Sequence, residues 1–413
     1  MLDQMAKIKL NAIIFQVRPN GDALYKSSIE PWSSWLTGTM GRSPGYDPLA
    51  FCIAEAHARG IEVHAWFNPF RALPNATMPT ASNHVCRTHP SHICDFKTYR
   101  WMNPASSFTR KRALSVILDV TRRYDVDGIH IDDYFYPYPD LAKNGKHKQH
   151  FPDGKSPSQR RGYVDSFVQE MYSSVKKAKP WVRVGISPFG IWRPGVPSGT
   201  TAGVDAYEHL AADSRKWLQK GWCDYLSPQL YWRIQGPQSY TRLLSWWRAQ
   251  GSRPVWPGIA TARIQSTEDP GRPASEIVNQ VNLSRTTGNN YAGHVHWSMK
   301  SLRQNRGGIA TLLEKNTYSS AALVPPMPWL SKAQPLSPSL KASGSRKGTQ
   351  AKWSSVRGAS KYAVQARYGK YWFTVKVLPA SVRNLTLTGN PEAIAVSAVD
   401  RYGTTSAPSV VTR

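Results

Sequence analysis

The sequence predicts an α/β chain: a TIM-type (β/α)8 barrel lacking its first strand, followed by a small all-β sandwich. Three observations carry this expectation. Short β-branched runs alternate seven times with helical stretches over the first three quarters of the chain, which implies a parallel sheet with helices outside. No glycine-rich dinucleotide turn follows the first run, so a barrel suits the pattern better than an open doubly wound sheet. After Leu313 the texture changes to a Pro/Ser-rich stretch and then to short strand-like runs.

In order, the strands are Asn11–Val17, Ile61–Phe67, Gly128–Asp132, Arg183–Ser187, Asp224–Tyr231, Val255–Ala260 and Gly293–Ser298. Between them the sequence predicts helices over Pro48–Arg59, Ser107–Tyr124, Arg161–Ala178, Asp213–Gln219, Tyr240–Gln250 and Ala274–Ser284. Gly60, Gly221 and Gly251 stand just past three of their ends, where a left-handed residue stops a helix. These elements give a barrel over residues 1–318, a linker over 319–334 and a β-sandwich over 335–413. The sandwich reads from AKWSSV, YAVQARY, WFTVKVL, LTLTG and AIAVSAVDRYG, and with Trp353, Tyr362 and the AVSAVDRYG close it resembles a fibronectin type III module.

Composition narrows the partners. The 413 residues carry 53 Lys and Arg against 26 Asp and Glu, a net charge of +27 that favours polyanions. No zinc-finger spacing, RNA-binding aromatic signature or basic heptad region points to nucleic acid. Sixteen Trp and nineteen Tyr point instead to carbohydrate, because sugar rings stack their C–H faces on aromatic side chains. No apolar run is long enough for a membrane span. From Lys332 onward 13 Lys and Arg face two acids, so the C-terminal module is either a dock for an anionic envelope surface or a solvated basic spacer. Cys86 and Cys94 lie in the His-rich HVCRTHPSHIC; zinc site, loop disulfide and free thiols are all open readings, but the spacing matches no familiar zinc pattern, and neither metal nor cofactor is expected.

In a (β/α)8 barrel the reactive side chains sit at the C-terminal ends of the strands. Those ends offer Gln16, Arg18 and Asp22; His64, Trp66, Asn68 and Arg71; His130, Tyr134 and Tyr136; Ser187 and Trp192; Gln229, Tyr231 and Trp232; His296 and Ser298 as substrate-binding candidates. One strand end alone carries paired acids, Asp132 and Asp133 in DGIHIDDYFYPYP, with Tyr134, Phe135, Tyr136 and Tyr138 beside them as an expected sugar-facing wall. Strand alternation sends the two carboxyls to opposite sides, and like charges this close push one pKa up, which is how a carboxyl stays protonated as a general acid.

The motifs NAIIFQVRPNGDALYKSSIEPWSSWLTG, GYDPLAFCIAEAHARGIEVHAWFNPFRA, YDVDGIHIDDYFYPYP, VGISPFGIWR and GWCDYLSPQLYW together resemble the glycosyl-hydrolase-like 10 family of bacterial envelope proteins. The resemblance implies a TIM-barrel glycosidase of the cell envelope or periplasm, acting on peptidoglycan glycan strands stripped of their stem peptides. Family members begin with one more strand and an export signal, whereas this chain opens inside the helix before NAIIFQV without a signal peptide. Either the start lies upstream or the protein is cytoplasmic. For the reaction, Asp133 is expected as general acid with Asp132 as the orienting group of a substrate-assisted mechanism. Asp22, Glu30, Asp205 or Glu208 is the alternative second carboxylate. A non-catalytic glycan-binding protein is the rival reading.

Overall fold

The computed structural model describes residues 1–141, 147–149, 151–286, 291–345 and 348–412. They divide into two compact units, one of Ile14–Cys52 with His64–Met299, the other of Met1–Ile13, Ile53–Val63 and Lys300–Arg413.

A parallel sheet is the centre of the first unit. Its strands run in the order β1 (Ala12–Arg18), β2 (Glu62–Phe67), β6 (Gly128–Ile131), β9 (Arg183–Ile186) and β10 (Tyr225–Leu226). Single parallel bridges, Leu226 to Val255 and Gln229 to Gly258, continue the order to β11 (Gly258–Ile259), which pairs with β12 (Val295–His296). All seven runs are therefore neighbours in chain order; among the described residues no ladder joins β12 to β1. The last three are shorter as ladders than their sequences suggest. Pro228 and Pro257 have no N–H to give, so pairing breaks to isolated bridges there. The helices cover Pro48–His57, Ser107–Arg123, Pro157–Ala178, Ser214–Gln219, Tyr240–Arg248 and Ala274–Thr286, close to the expected spans.

Small residues make room for large ones inside the sheet. A Cβ on Gly185 in β9 would overlap the Tyr225 ring of β10, and one on Gly128 would collide with His64. Tyr225 stacks on Trp256 with centroids 4.3 Å apart and takes hydrogen bonds with both His64 Nδ1 (2.8 Å) and His130 Nδ1 (2.9 Å). This aromatic and imidazole layer fills the interior beneath the C-terminal strand ends.

Between β2 and β6 the chain inserts a three-stranded antiparallel sheet that the sequence reading did not foresee: β3 (Arg71–Leu73), β4 (Ile93–Phe96) and β5 (Tyr99–Met102), in the order β3-β5-β4. Its strands are only three or four residues long, too short for alternation to stand out. A further two-stranded ribbon pairs β7 (Asp140–Leu141) with β8 (His147–Gln149).

The second unit contains seven antiparallel strands in two sheets. One is β13 (Leu340–Ser345), β14 (Gly348–Trp353) and β17 (Asn384–Leu387); the other runs β16 (Tyr371–Pro379), β15 (Lys361–Tyr368), β18 (Ala393–Val399) and β19 (Ser409–Thr412). Trp353 and Leu387 from the first sheet share a core with Tyr362, Val364, Ile394 and Val396 from the second, so the sheets form a sandwich. The Pro/Ser-rich stretch before it is irregular but seated: Met327 is fully buried and its N–H donates to Tyr402 O (2.9 Å), while Ala321 N–H donates to Thr374 O (3.0 Å). Gly60, at φ +74°, lies so close to the Val377 carbonyl that any Cβ there would overlap it, and Lys361 ion-pairs with Glu62 at 2.8 Å. The sandwich thus packs on the helix-to-strand turn at residues 57–62.

Candidate active site

The β6 ladder stops at Ile131, whose carbonyl accepts from Ser187 N–H (2.8 Å), and the next two residues are the acids. Asp132 turns toward β2, where Oδ2 accepts from the Trp66 indole N–H (3.0 Å) and Oδ1 from Tyr134 N–H (3.3 Å). Asp133 turns the other way, accepting the Tyr138 hydroxyl and lying against the Gln229 amide, which also donates to Ser187 O (3.0 Å). The alternation expected of a strand therefore persists one step beyond the ladder.

Both carboxyls are almost fully buried. Burial first, then repulsion from Asp133, pushes Asp132 up to about 7, against the pull of Arg71 and two hydrogen bonds. Burial raises Asp133 too, opposed by its bonds to Tyr138 and Gln229. Two buried carboxyls this close titrate as a pair, each held above the usual carboxylate range.

Arg71 is the cation that both acids feel. Its Nε donates to Pro19 O and Asn20 Oδ1 (3.1 Å each), its Nη2 to Pro19 O (2.9 Å), and the guanidinium lies 5.0 Å over the Tyr134 ring. Aromatic rings extend outward from there. Tyr138 contacts Tyr134 (5.6 Å) and Phe189 (6.3 Å), Phe189 contacts Trp232 (5.7 Å), and Trp66 meets the exposed Trp297 edge-to-face at 5.8 Å. Burial first, then the charges of Asp133 and Asp132, push the Tyr231 phenol up and hold it protonated. Of the sequence candidates, Trp66, Arg71, Tyr134, Gln229 and Tyr231 gather at the acid pair, and Trp232 joins them through Phe189.

Others go elsewhere. Arg18 is wholly buried, clasping Glu30 through Nε (2.7 Å) and Nη2 (2.6 Å) and giving Nη1 to Asn68 O; it is a structural tie under the strand ends, not a sugar ligand. Asn68 orders the turn by accepting Arg71 N–H (3.0 Å), and Asp22 is buried beside Arg18 with its carboxyl pushed up to about 6. His64 and His130 belong to the Tyr225 layer; burial lowers His130 to about 3, so it is neutral. Tyr136 and Phe135 are corrections to the expected aromatic wall: both are buried, Tyr136 against Phe151 (5.2 Å) and Phe135 against Trp217 (4.9 Å). Trp192 donates to Asp213 (3.3 Å) and stacks on Trp246 (6.1 Å), away from the acids. His296 bonds Thr261 Oγ1 (2.7 Å), Ser187 contributes backbone groups, and Gln16 and Ser298 are half-buried on β1 and just after β12.

Phe189 and Trp101 were missed. Trp101, on the inserted sheet, donates to Phe135 O (3.1 Å) and packs 6.1 Å from Tyr134, bracing the acid loop; no short-range pattern signals that long-range contact. Phe189 follows Pro188 directly after β9, so a strand-end scan extended by two residues finds it. Cys86 and Cys94 are free thiols, with burial raising both to about 11. Among the described residues no three His, Cys, Asp or Glu side chains converge as a metal set.

The model of the family described as glycosyl hydrolase-like 10 matches residues 1–269. The chain belongs to the glycosyl hydrolase-like 10 family. Glycosyl hydrolase YngK of Bacillus subtilis is 39% identical over 357 residues, 82% of this chain and 70% of that protein. Glycosyl hydrolase DigH of Escherichia coli is 34% identical over 276 residues, 60% of either protein, so the chain spans less than two thirds of that relative's length. Among solved structures, alpha-L-fucosidase isoenzyme 2 from Paenibacillus thiaminolyticus matches with a TM-score of 0.50 at 14% identity, over 77% of this chain and 45% of that one. That likeness shows the fold alone, a TIM-barrel type. This member of the glycosyl hydrolase-like 10 family is accordingly a glycosidase.

Proposed function

We propose that the enzyme hydrolyses peptidoglycan glycan strands lacking stem peptides, using Asp133 as general acid and Asp132 as the orienting group. The observation that carries this reading is the buried pair itself, with the Arg71 charge acting on both members. Of the alternative acids, Glu30 is bound to Arg18, Asp205 caps the helix at Ala206–His209 and joins Glu208 in ion-pairing Arg193, and Asp22 is wholly buried, accepting Asn20 N–H at 3.2 Å. A lone pair of acids fits substrate assistance. Asp133 passes its proton to the glycosidic oxygen as the bond to the anomeric carbon breaks. The substrate's 2-acetamido oxygen closes onto that carbon, and Asp132, held by Trp66 and Tyr134, accepts the acetamido N–H. Water then adds to the anomeric carbon, Asp133 takes its proton, and the acetamido group is restored with retained configuration.

Arg71 favours peptidoglycan among N-acetylated glycans. Removing a stem peptide leaves a free carboxylate on the muramic sugar, and a guanidinium anchored by Pro19 O and Asn20 beside the acids is suited to it. An envelope location belongs to the same reading, with the family resemblance as its support. The seven-stranded sandwich fits a fibronectin type III module attached to the catalytic one.

Digestion of stem-peptide-free glycan strands by wild type, Asp132→Asn and Asp133→Asn tests the reading. Wild type releases reducing ends and each variant is slower by at least about 100-fold, the usual contribution of a positioned acid. If all three bind the strands alike and none releases reducing ends, the protein is a glycan binder and the proposal fails.

A further inference from the structure

The C-terminal sandwich has one feature that neither its core nor the acid site uses. At the tip of the β15–β16 hairpin, Tyr371 is 60% exposed, Trp372 42%, Tyr368 38% and Phe373 36%. Large rings left in water in a contiguous group mark a binding surface. The cross-strand register pairs Tyr368 with Tyr371 and Ala366 with Phe373, so these three rings share the face that, further along, buries Ala366. Trp372 pairs with Arg367 on the opposite face, its ring 6.0 Å from the guanidinium, and Lys370 in the turn stands 5.3 Å from the Tyr371 ring. Arg367 has Glu392 at 3.7 Å, which leaves the net charge of the tip positive. Toward the other end the strand is covered, since Leu378 is buried and Thr374 pairs with the 320–321 segment. The exposed aromatic rings are grouped at the tip, although Val375 further along the strand is also 39% exposed.

We propose that this hairpin tip is a second glycan-binding surface, taking a strand of anionic polysaccharide. The proposal rests on the reading of the substrate as an anionic glycan and adds where else on the chain that polymer is held. Rings two residues apart along a strand stand roughly 7 Å apart, a spacing on the order of one sugar unit. Tyr371 and Phe373 therefore offer successive faces to successive sugars, and Lys370 lies beside them to meet a carboxylate. The wider module supports the same sign of partner, with 13 Lys and Arg against two acids from Lys332 onward. A lipid surface fits less well. Interfacial anchors put their apolar groups on one side, whereas Trp372 lies on the opposite face from the other three rings. Holding the polymer at a second point raises its effective concentration at the acid pair without any new chemistry.

The test uses the full chain, wild type against the triple variant Tyr371→Ala/Trp372→Ala/Phe373→Ala and, separately, Lys370→Glu, each first checked for an unchanged melting temperature. Co-sedimentation in the cold with insoluble stem-peptide-free glycan, with the same glycan after amidation of its carboxylates, and with phosphatidylglycerol vesicles reads the binding. The expected result is about tenfold weaker glycan binding by the triple variant, the sum of several ring contacts. Lys370→Glu and carboxylate amidation each weaken binding severalfold. On short soluble oligosaccharides the kcat/KM of both variants stays within about twofold of wild type, since neither change touches the acid site. Unchanged glycan binding by both variants overturns the proposal, as does vesicle binding that depends on the same rings. If wild type hydrolyses no glycan yet the triple variant still loses binding, the substrate reading fails and the surface stands.

Discussion

At Asp132 and Asp133 the energetic question is what burial costs a charge. A carboxyl taken out of water beside another favours its neutral form, so the pair keeps a proton near pH 7 that an exposed aspartate sheds near 4. The sign of the linkage follows. Between about 4 and about 7 the folded protein holds a proton that the unfolded chain has released, and stability from this pair declines as pH rises through that window. Asp132→Asn, which removes the charge, is expected to raise the melting temperature relative to wild type at pH 8 and to lose that advantage near pH 4, measured by calorimetry across pH. Activity depends on the same burial: kcat/KM is expected to fall toward alkaline pH, as Asp133, raised by burial, gives up the proton that the leaving oxygen needs. His130 has the opposite sign. Its folded-state value of about 3 lies below the unfolded one, so its contribution is lost as pH falls from about 6.5 toward 3.

Elements place these residues by joining strand ends that the sequence keeps far apart. The tie between Arg18 at the end of β1 and Glu30 in the following loop is the clearest case, with both side chains wholly out of solvent. Arg112 from the helix at Ser107–Arg123 stands 3.7 Å from the same carboxylate. Glu30→Gln leaves Arg18 buried without its charge partner, a change expected to cost about 3–5 kcal/mol. Urea unfolding of the variant should show this as a lowered midpoint. Asn68 and Arg71 follow β2 on the loop that Arg18 holds through Asn68 O, so the variant is also expected to disturb the acid site and lower kcat. The inserted β3-β5-β4 sheet braces the acid loop from the other direction through Trp101 and Phe135 O.

Across the whole molecule, the C-terminal strands share a compact unit with Met1–Ile13 and Ile53–Val63, so the sandwich is more than an appendage on a tether. Lys9 donates to Tyr318 O (2.8 Å), Asn11 to Ala322 O (3.1 Å), and Gly60 admits the Val377 carbonyl where any side chain would collide. Gly60→Ala meets both that collision and a positive φ. It is expected to destabilise by about 1–3 kcal/mol, read as a lowered melting temperature. The same substitution at Gly154, also at positive φ but with open space around it, is expected to cost less, which separates the contact from the backbone strain.

Much of this was legible along the chain because it depends on local order. The βα alternation, the helix stops at Gly60 and Gly221, the Asp132–Asp133 step and the family motifs all follow from neighbours in sequence, where side-chain period and turn chemistry act. The strand-end rule brought Trp66, Arg71, Tyr134, Gln229 and Tyr231 to the site because a parallel sheet delivers all its C-terminal ends to one side. It failed for Arg18, Tyr136 and Trp192, whose side chains leave the mouth for an ion pair, a core and an outer stack. Only the tertiary structure decided which strand-end groups face the acids, which acids were consumed in structure and how far each carboxyl was pushed. Burial and charge pairing are properties of residues far apart in the chain, and no window of sequence contains them.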